Sequence, residues 1–470
     1  MRPALFLTLG GLASALSGNT LAFGSIDPFN TEAMAPLPPR LALPADEQFV
    51  PCQAPQSNST YGVIEVVDLA LCQNPRTHEL WASARSQAAL VGVAQAPYLP
   101  GLSGQASTSR TITNDVGTRL NSASLTLSWL LLDFGTRSAS LESARQLLSA
   151  ASSTLDATVQ TVFLSALQSY YNTQAARAAV VAALESEKAS RESLTAAETR
   201  YTVGTGTPAD RLQAQTAWSQ AVLNRIRAEG TLKTAYGTLA NVMGLNANQP
   251  LRLDDLAEAR PDASFERDIE ALIAEARERR PDLIAAEAQV RVARANVDVA
   301  RGAGLPTLSL GAGPTWQGTT SSGSTFTTHG NAIGLTLSAP LFSGFDTTYR
   351  VRSAQAKVDV ASAQRDNIRL QVALDVWTAY QSLITATQSI RTATDLVASA
   401  EASERVALGR YKAGVGTIID VLNAQSALAS ARVQRIQAAL DWHVSRAALA
   451  KAVGTLDGRL LNPAADSTRP

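Results

Sequence analysis

The chain contains the same short motif twice, and this duplication constrains its fold more than any other feature. Residues 201–210 read Tyr-Thr-Val-Gly-Thr-Gly-Thr-Pro-Ala-Asp, and residues 411–420 read Tyr-Lys-Ala-Gly-Val-Gly-Thr-Ile-Ile-Asp. The tyrosine, both glycines, the threonine and the aspartate recur at a shift of 210 residues (411 − 201). Each copy lies between two long alanine-rich segments of helical periodicity, which predicts two hairpin tips joining long helices.

The motif itself predicts how each tip is built. The glycine pair lets the chain leave the first helix through positive φ, where other residues are strained. Thr207 and Thr417 then fit as N-caps of the next helix, with Asp210 and Asp420 as the acids three positions on. Pro208 suits a first helical position, where no N–H is needed.

The duplication also sets the domain organisation. Repeat one is predicted over about 61–254 and repeat two over about 268–458, with a linker at 255–267 and a tail at 459–470. Residues 1–22 resemble a cleaved signal peptide, since Arg2 precedes a short apolar run. A membrane anchor is the alternative, disfavoured by the shortness of that run. Residues 23–60 are rich in proline, which predicts an extended segment lying on the body and not a separate domain.

Each repeat inserts a pair of strands between its helices, at about 100–132 and 306–342. In the first pair, Leu125, Leu127, Trp129 and Leu131 alternate with polar residues, which indicates a sheet with one apolar face. We expect a polar loop around 113–118 within the first pair. In the second pair we expect a longer Gly/Ser/Thr-rich loop between Trp316 and Ile333.

The helices are unusually long. No proline interrupts residues 136–200 or 347–410, so each could form a helix of ~65 residues and ~100 Å. The two shorter helices of each repeat, laid end to end, would match that length. We therefore expect one continuous and one broken helical column per repeat, with the first joint near 246–250 and the second near the C-terminus.

Composition excludes several functions. The 40 basic and 40 acidic side chains leave no net charge to attract nucleic acid. The three histidines are scattered and form no Cys/His cluster, so no metal, cofactor or catalytic site is expected. A lone Gly-x-Gly is not a phosphate loop. Cys52 and Cys72 predict a disulfide in an exported chain, with two unpaired thiols as the alternative.

Four strands cannot close a barrel, and open sheet edges are not tolerated in lipid. If the strands enter a membrane, the chain must therefore oligomerise. The broad alanine-rich helix faces also need neighbours on both sides.

Several motifs together resemble the TolC family of outer-membrane export channels. They are the two Tyr-x-x-Gly-x-Gly tips, the Leu-Pro before each first strand, and Asp133-Phe134-Gly135 after a strand. The resemblance implies a mainly α fold with a membrane β-barrel part. In that family a homotrimer forms a 12-stranded barrel in outer-membrane lipid above a periplasmic barrel of 12 helical columns. The front of repeat one resembles the CyaE-like branch, which implies type I secretion of a toxin.

The resemblance also implies roles for particular residues. The six tip residues would contact a periplasmic adaptor: Val203, Gly204, Thr205, Ala413, Gly414 and Val415. Asp210, Tyr411, Asp420 and Asn423 would form the entrance gate, although Gly416 stands where the family has an arginine. Arg410, Lys412 or Arg211 could replace that arginine.

Simpler roles remain open for these residues. The glycines could serve the turn alone, and Asp420 could be only a helix cap. Trp129 and Trp316 would sit at the membrane interface, or could simply pack as ordinary aromatic side chains.

Three functions stay open at this point. The first is an exit duct for type I secretion with an inner-membrane ABC transporter. The second is the same duct serving a proton-driven multidrug efflux pump. The third is a periplasmic coiled-coil scaffold without a pore, which the amphipathic strand pairs disfavour.

Overall fold

The computed structural model describes residues 27–41, 52, 60–113, 115–255, 268–321 and 323–457. The predicted signal peptide, the C-terminal tail and nearly all of the predicted linker lie outside these residues. Among the helices in the described ranges, none combines the length and apolar character needed to cross a membrane.

Each repeat contributes two short helices, one very long helix and one of intermediate length. After a one-turn helix α1 (Thr31–Met34), repeat one forms α2 (Val63–Gln73), α3 (Pro75–Gln95), α4 (Thr136–Thr202) and α5 (Pro208–Val242). Repeat two forms α6 (Ile269–Arg279), α7 (Pro281–Gly302), α8 (Asp346–Lys412) and α9 (Ile418–Val453). Both α4 and α8 have 67 residues, which confirms the predicted pair of ~100 Å helices.

The short helices stack end to end beside the long ones, as the length match predicts. Asn74 begins α3, accepting a bond from the Arg76 backbone N–H, and its Nδ2 donates to the Val242 carbonyl at the end of α5, 3.1 Å away. Gly244 lies against the Gln73 carbonyl, where a Cβ would come within 2.5 Å. The first joint is therefore at 242–244, slightly earlier in the chain than 246–250.

The helical columns follow a fixed order. Both α3 and α5 pack against α4, while α7 and α9 each pack against α4 on one side and α8 on the other. The order is therefore the broken column of α3 and α5, the continuous α4, the broken column of α7 and α9, and the continuous α8. The largest hydrophobic cluster lies at the first joint and includes Val66, Leu71, Leu167, Leu239 and Met243.

The four long strands are β2 (Gly101–Thr113), β3 (Val116–Leu132), β5 (Thr307–Ser321) and β6 (Ser324–Ser338). They form one antiparallel sheet in the order β2-β3-β5-β6. The central pair, β3 with β5, joins the two repeats. Near the first joint, β1 (Thr60–Tyr61) pairs in parallel with β4 (Arg252–Leu253).

The prediction of polar loops within the two strand pairs was wrong, because most of the residues expected in those loops extend the strands. The register continues to Thr113 opposite Val116 and to Ser321 opposite Ser324, so only two residues separate the strands of each pair. Serine and threonine pair across the strands through their hydroxyl groups, as in Ser107 with Ser122 (2.7 Å) and Thr320 with Thr325 (3.0 Å). Threonine is β-branched and suits a strand, so polarity alone misled the interpretation.

Candidate functional site

The two helical tips are built alike, and both contain the predicted capping box. The Thr207 hydroxyl accepts from the Asp210 backbone N–H, and the Asp210 carboxylate accepts from the Thr207 backbone N–H. Thr417 and Asp420 make the same reciprocal pair. Pro208 is the first residue of α5. These bonds satisfy backbone donors that a helix start would otherwise leave unpaired.

The two glycines of each tip have different physical roles. Gly204 and Gly414 adopt φ of +80° and +79°, as the sequence predicts. Gly206 does not, so the prediction of positive φ for both members of the pair was wrong. A Cβ on Gly206 would lie 3.1 Å from the Arg200 Cβ, and the corresponding distance from Gly416 to the Arg410 Cβ is also 3.1 Å. The second glycine therefore permits close packing against the end of the preceding helix.

All six predicted adaptor-contact residues are exposed: Val203, Gly204, Thr205, Ala413, Gly414 and Val415. The side chains of Val203 and Val415 are 67% and 68% exposed. These valines lie beside Gly204 and Gly414, which carry no Cβ atom. Together they form a surface on which another helix could pack closely.

Tyr411 is held by Arg200 from the other tip. The Arg200 Nη1 donates to the Tyr411 carbonyl at 3.0 Å, and its guanidinium carbon lies 4.8 Å from the centre of the Tyr411 ring. Tyr411 is 5% exposed in a cluster that includes Leu194, Ile418 and Val421. We call the pair of Arg200 and Tyr411 the internal clamp, because it joins the two tips of one chain.

Arg200 was missed in the sequence, although a signal was present. Arginine precedes the tyrosine in both copies, as Arg200-Tyr201 and Arg410-Tyr411. Of the described residues, Thr207 alone hydrogen-bonds the Asp210 side chain, so Asp210 is not brought to Tyr411 within the chain. Among the proposed substitutes for the missing arginine, Arg211 covers the Tyr201 ring at 5.1 Å, and Arg410 reaches the Val415 carbonyl at 3.5 Å.

Asp420 is exposed and carries a negative charge at neutral pH. The hydrogen bond from the Thr417 backbone lowers the pKa of Asp420 below its usual range. Asn423, one turn later, is also exposed. The cap role of Asp420 is thus visible in the chain, whereas a ring of such charges requires further copies.

Trp129 and Trp316 lie at different heights on the sheet. Trp129 faces Leu310, while Trp316 faces Ala123. The six-residue offset between 129 and 123 corresponds to ~20 Å along the strand. Trp129 donates to the Tyr98 carbonyl at 3.0 Å, beside the helices, and the two indoles are 39% and 37% exposed. One interfacial belt therefore cannot hold both rings side by side.

Cys52 and Cys72 are joined in a disulfide with Cα atoms 5.7 Å apart. The Asp68 carboxylate accepts from the Cys52 backbone N–H at 2.6 Å, and burial raises the pKa of Asp68. These three residues are also the one close group of metal-ligand types among the described residues. Because the sulfurs are bonded to each other, they offer no thiolate to a metal ion.

A duplicated set of ~100 Å helices with a sheet at one end and narrow glycine tips at the other defines a channel-tunnel subunit. The family model for outer membrane efflux proteins matches residues 66–245 and 272–455. The chain therefore belongs to the outer membrane efflux protein family, which includes the TolC channels.

Individual relatives agree with this assignment. Protein CyaE of Bordetella pertussis is 33% identical over 413 residues, which cover 86% of this chain and 87% of CyaE. Alkaline protease secretion protein AprF of Pseudomonas aeruginosa is 27% identical over 310 residues, 63% of this chain and 62% of AprF. The solved outer-membrane channel OprN superposes with a TM-score of 0.73 at 21% identity, covering 84% of this chain and 90% of OprN.

Family membership fixes the coarse function and location. Channels of this family are non-enzymatic export ducts, and TolC-family channels are trimers that work with adaptors and inner-membrane transporters. The protein is an outer-membrane efflux channel whose helical part lies in the periplasm.

Proposed function

We propose that the protein is the outer-membrane exit duct of a type I secretion machine that exports a protein toxin of the RTX or adenylate cyclase-haemolysin type. The observation that carries this proposal is the 33% identity to CyaE across 86% of the chain. The name of AprF, a secretion protein for a protease, adds a second relative associated with protein export. The cargo would be handed over by an inner-membrane ABC transporter and a periplasmic adaptor.

The proposal requires three copies of the chain around one water-filled bore. Within one chain the sheet ends at β2 and β6, and the helical columns end at α5 and α8. Apolar side chains are exposed at both ends, among them Leu212 and Ile226 on α5 and Leu370, Leu374 and Trp377 on α8. Three copies, with four strands each, would close a 12-stranded barrel and leave no open edge in lipid.

At the periplasmic end, the six exposed tip residues would dock the adaptor. The exposed valines would supply apolar contact, and Gly204 and Gly414 would let an adaptor helix approach the backbone. Three copies of Asp420 would form a negative ring at the entrance and favour cations over anions. Because Asn423 stands where a second acidic residue would be, the entrance would have one negative ring and not two.

The test is a deletion of the gene in its own host, with two readouts. If the duct serves type I secretion, the toxin disappears from the medium and stays in the cells, while drug sensitivity is unchanged. Expression of the chain from a plasmid restores the secreted toxin. If drug sensitivity rises and secretion is intact, the duct serves a proton-driven multidrug efflux pump instead. If neither changes, the duct serves neither of these two machines.

A further inference from the structure

Inside the chain, the tip end of α4 packs against the end of α8 and the start of α9, and we call this interface the internal seam. It contains two specific polar contacts near the tips. One is the internal clamp of Arg200 and Tyr411. The other joins Ser193 to Gln425, whose Nε2 donates to the serine hydroxyl at 3.0 Å. Ser193 is 2% exposed and Gln425 is half-buried, so the serine side of this contact is shielded from water.

All four residues have an identical counterpart 210 positions away. Arg200 corresponds to Arg410 and Ser193 to Ser403 on α8, while Tyr411 corresponds to Tyr201 at the first tip and Gln425 to Gln215 on α5. A helix needs no particular hydrogen-bonding residues on a face that meets only water. Four matching side chains therefore indicate that the outer faces of α8 and α5 are built for the same kind of contact.

In the isolated chain three of these counterparts are exposed, and the fourth, Gln215, is half-buried. Tyr201 is 41% exposed whereas Tyr411 is 5% exposed, and Ser403 and Arg410 are exposed whereas Ser193 is buried and Arg200 is half-buried. The columns of α8 and α5 lie at opposite ends of the column order, so one chain cannot bring them together. A second copy placed beside the first brings its α5 to the α8 of its neighbour.

We propose that a second copy of this chain covers the outer face of α8, and that the subunit interface repeats both polar contacts of the internal seam. Arg410 then clamps Tyr201 of the partner subunit, and Ser403 bonds Gln215 of the partner subunit. This inference rests on the trimer in the proposed function. A head-to-tail interface that repeats with a closing rotation generates a ring, so three copies give six clamps, three internal and three between subunits.

The two kinds of seam differ at one point. Ile418 and Val421 are buried beside Tyr411, but Pro208 and Arg211 stand at the corresponding positions beside Tyr201. The Arg211 guanidinium lies 5.1 Å from the centre of the Tyr201 ring. The partner's Arg410 must therefore use the other face of that ring, and the subunit seam buries less apolar surface at the tip than the internal seam.

Paired cysteine substitutions in the full-length channel test this pairing. The variant with Ser403→Cys and Gln215→Cys is treated with a short bis-methanethiosulfonate reagent and run on a denaturing, non-reducing gel. The matched control carries Ser193→Cys and Gln425→Cys. Both native cysteines are already in a disulfide, so the unmutated chain and the single-cysteine variants measure background crosslinking.

The proposal predicts bands at two and three chain masses for Ser403→Cys with Gln215→Cys. The control should stay at one chain mass with both thiols consumed, which also shows that the reagent spans the contact. If native mass spectrometry shows trimers but the first variant stays at one chain mass, the proposed pairing is overturned while the trimer stands. If the unmutated channel is itself a monomer, the trimer of the proposed function fails as well.

Discussion

The Arg200 guanidinium donates to the carbonyl of Tyr411 at 3.0 Å and covers its ring at 4.8 Å, although the two residues are 211 positions apart. This contact fastens the end of α4 to the end of α8, so it joins the two hairpins that a duplication produced. Any movement that separates the tips must break a charged hydrogen bond and a cation–π contact together.

Replacing Arg200 with alanine should therefore loosen the closed entrance. A cation–π contact contributes about 0.5–2 kcal/mol, and about 1.4 kcal/mol shifts an equilibrium tenfold. We expect Arg200→Ala to raise the open fraction about tenfold in planar-bilayer recordings. Arg191→Ala, an exposed arginine on the same helix, is the control and should behave as the unmutated channel. If Arg200→Ala and Arg191→Ala have the same open fraction, the internal clamp does not hold the entrance closed.

Asp420 and Asp210 make identical capping boxes, which allows the ring and cap roles to be separated. Either substitution, Asp420→Asn or Asp210→Asn, removes the negative charge from an equivalent cap and keeps an oxygen that can accept the threonine backbone N–H. If Asp420 also lines the entrance, Asp420→Asn should move the reversal potential in a salt gradient towards zero. A shift in Asp210→Asn as well would place that residue at the entrance too, and the ring of Asp420 is refuted if Asp420→Asn leaves the reversal potential of the unmutated channel unchanged.

The same ring predicts a pH dependence. The pKa of Asp420 is lowered in the folded protein, so the carboxylate is charged, and its cap contribution fully present, above the ordinary aspartate pKa of about 3.9. Both are lost as the pH falls through the lowered value. Cation selectivity should thus be constant from neutral pH to about pH 4 and decline only below it. A decline centred near pH 6 would point to another group.

The two tip glycines should respond differently to substitution. Gly204 has positive φ but open space around a Cβ, so Gly204→Asn should be tolerated, since asparagine adopts this conformation. Gly206→Asn must displace the Arg200 side chain and the Tyr201 backbone nitrogen, each 3.1 Å from the new Cβ. We expect a lower thermal dissociation temperature of the trimer for Gly206→Asn only. The reverse order would contradict these roles.

The Cys52–Cys72 bridge closes a sequence separation of 20 residues. In the chain-entropy model, loss of this bridge should lower the free energy of unfolding by roughly 3 kcal/mol. In the double variant Cys52→Ser with Cys72→Ser, limited proteolysis should cut the segment before α2 faster, while the long helices keep their protection. Reductant added to the unmutated channel should reproduce this pattern. Equal cleavage rates would mean that other contacts, such as Trp81 with the Pro36 carbonyl, hold the segment.

The helices and tip caps could be predicted because they follow from local rules. The absence of proline sets the length of α4 and α8, and Thr-x-x-Asp sets both capping boxes. The strand lengths could not be predicted, because serine and threonine occur in both loops and strands. Only cross-strand partners such as Ser107 and Ser122 decide between the two structures. The internal clamp was not predicted either, because the pairing of Arg200 with Tyr411 depends on how the two repeats pack.

Native mass spectrometry of the detergent-extracted channel tests the central claim most directly. Unpaired strand edges at β2 and β6 and exposed apolar faces on α5 and α8 require neighbours. We predict a single species of three chains that persists on dilution in detergent. A stable monomer under the same conditions would contradict the shared bore.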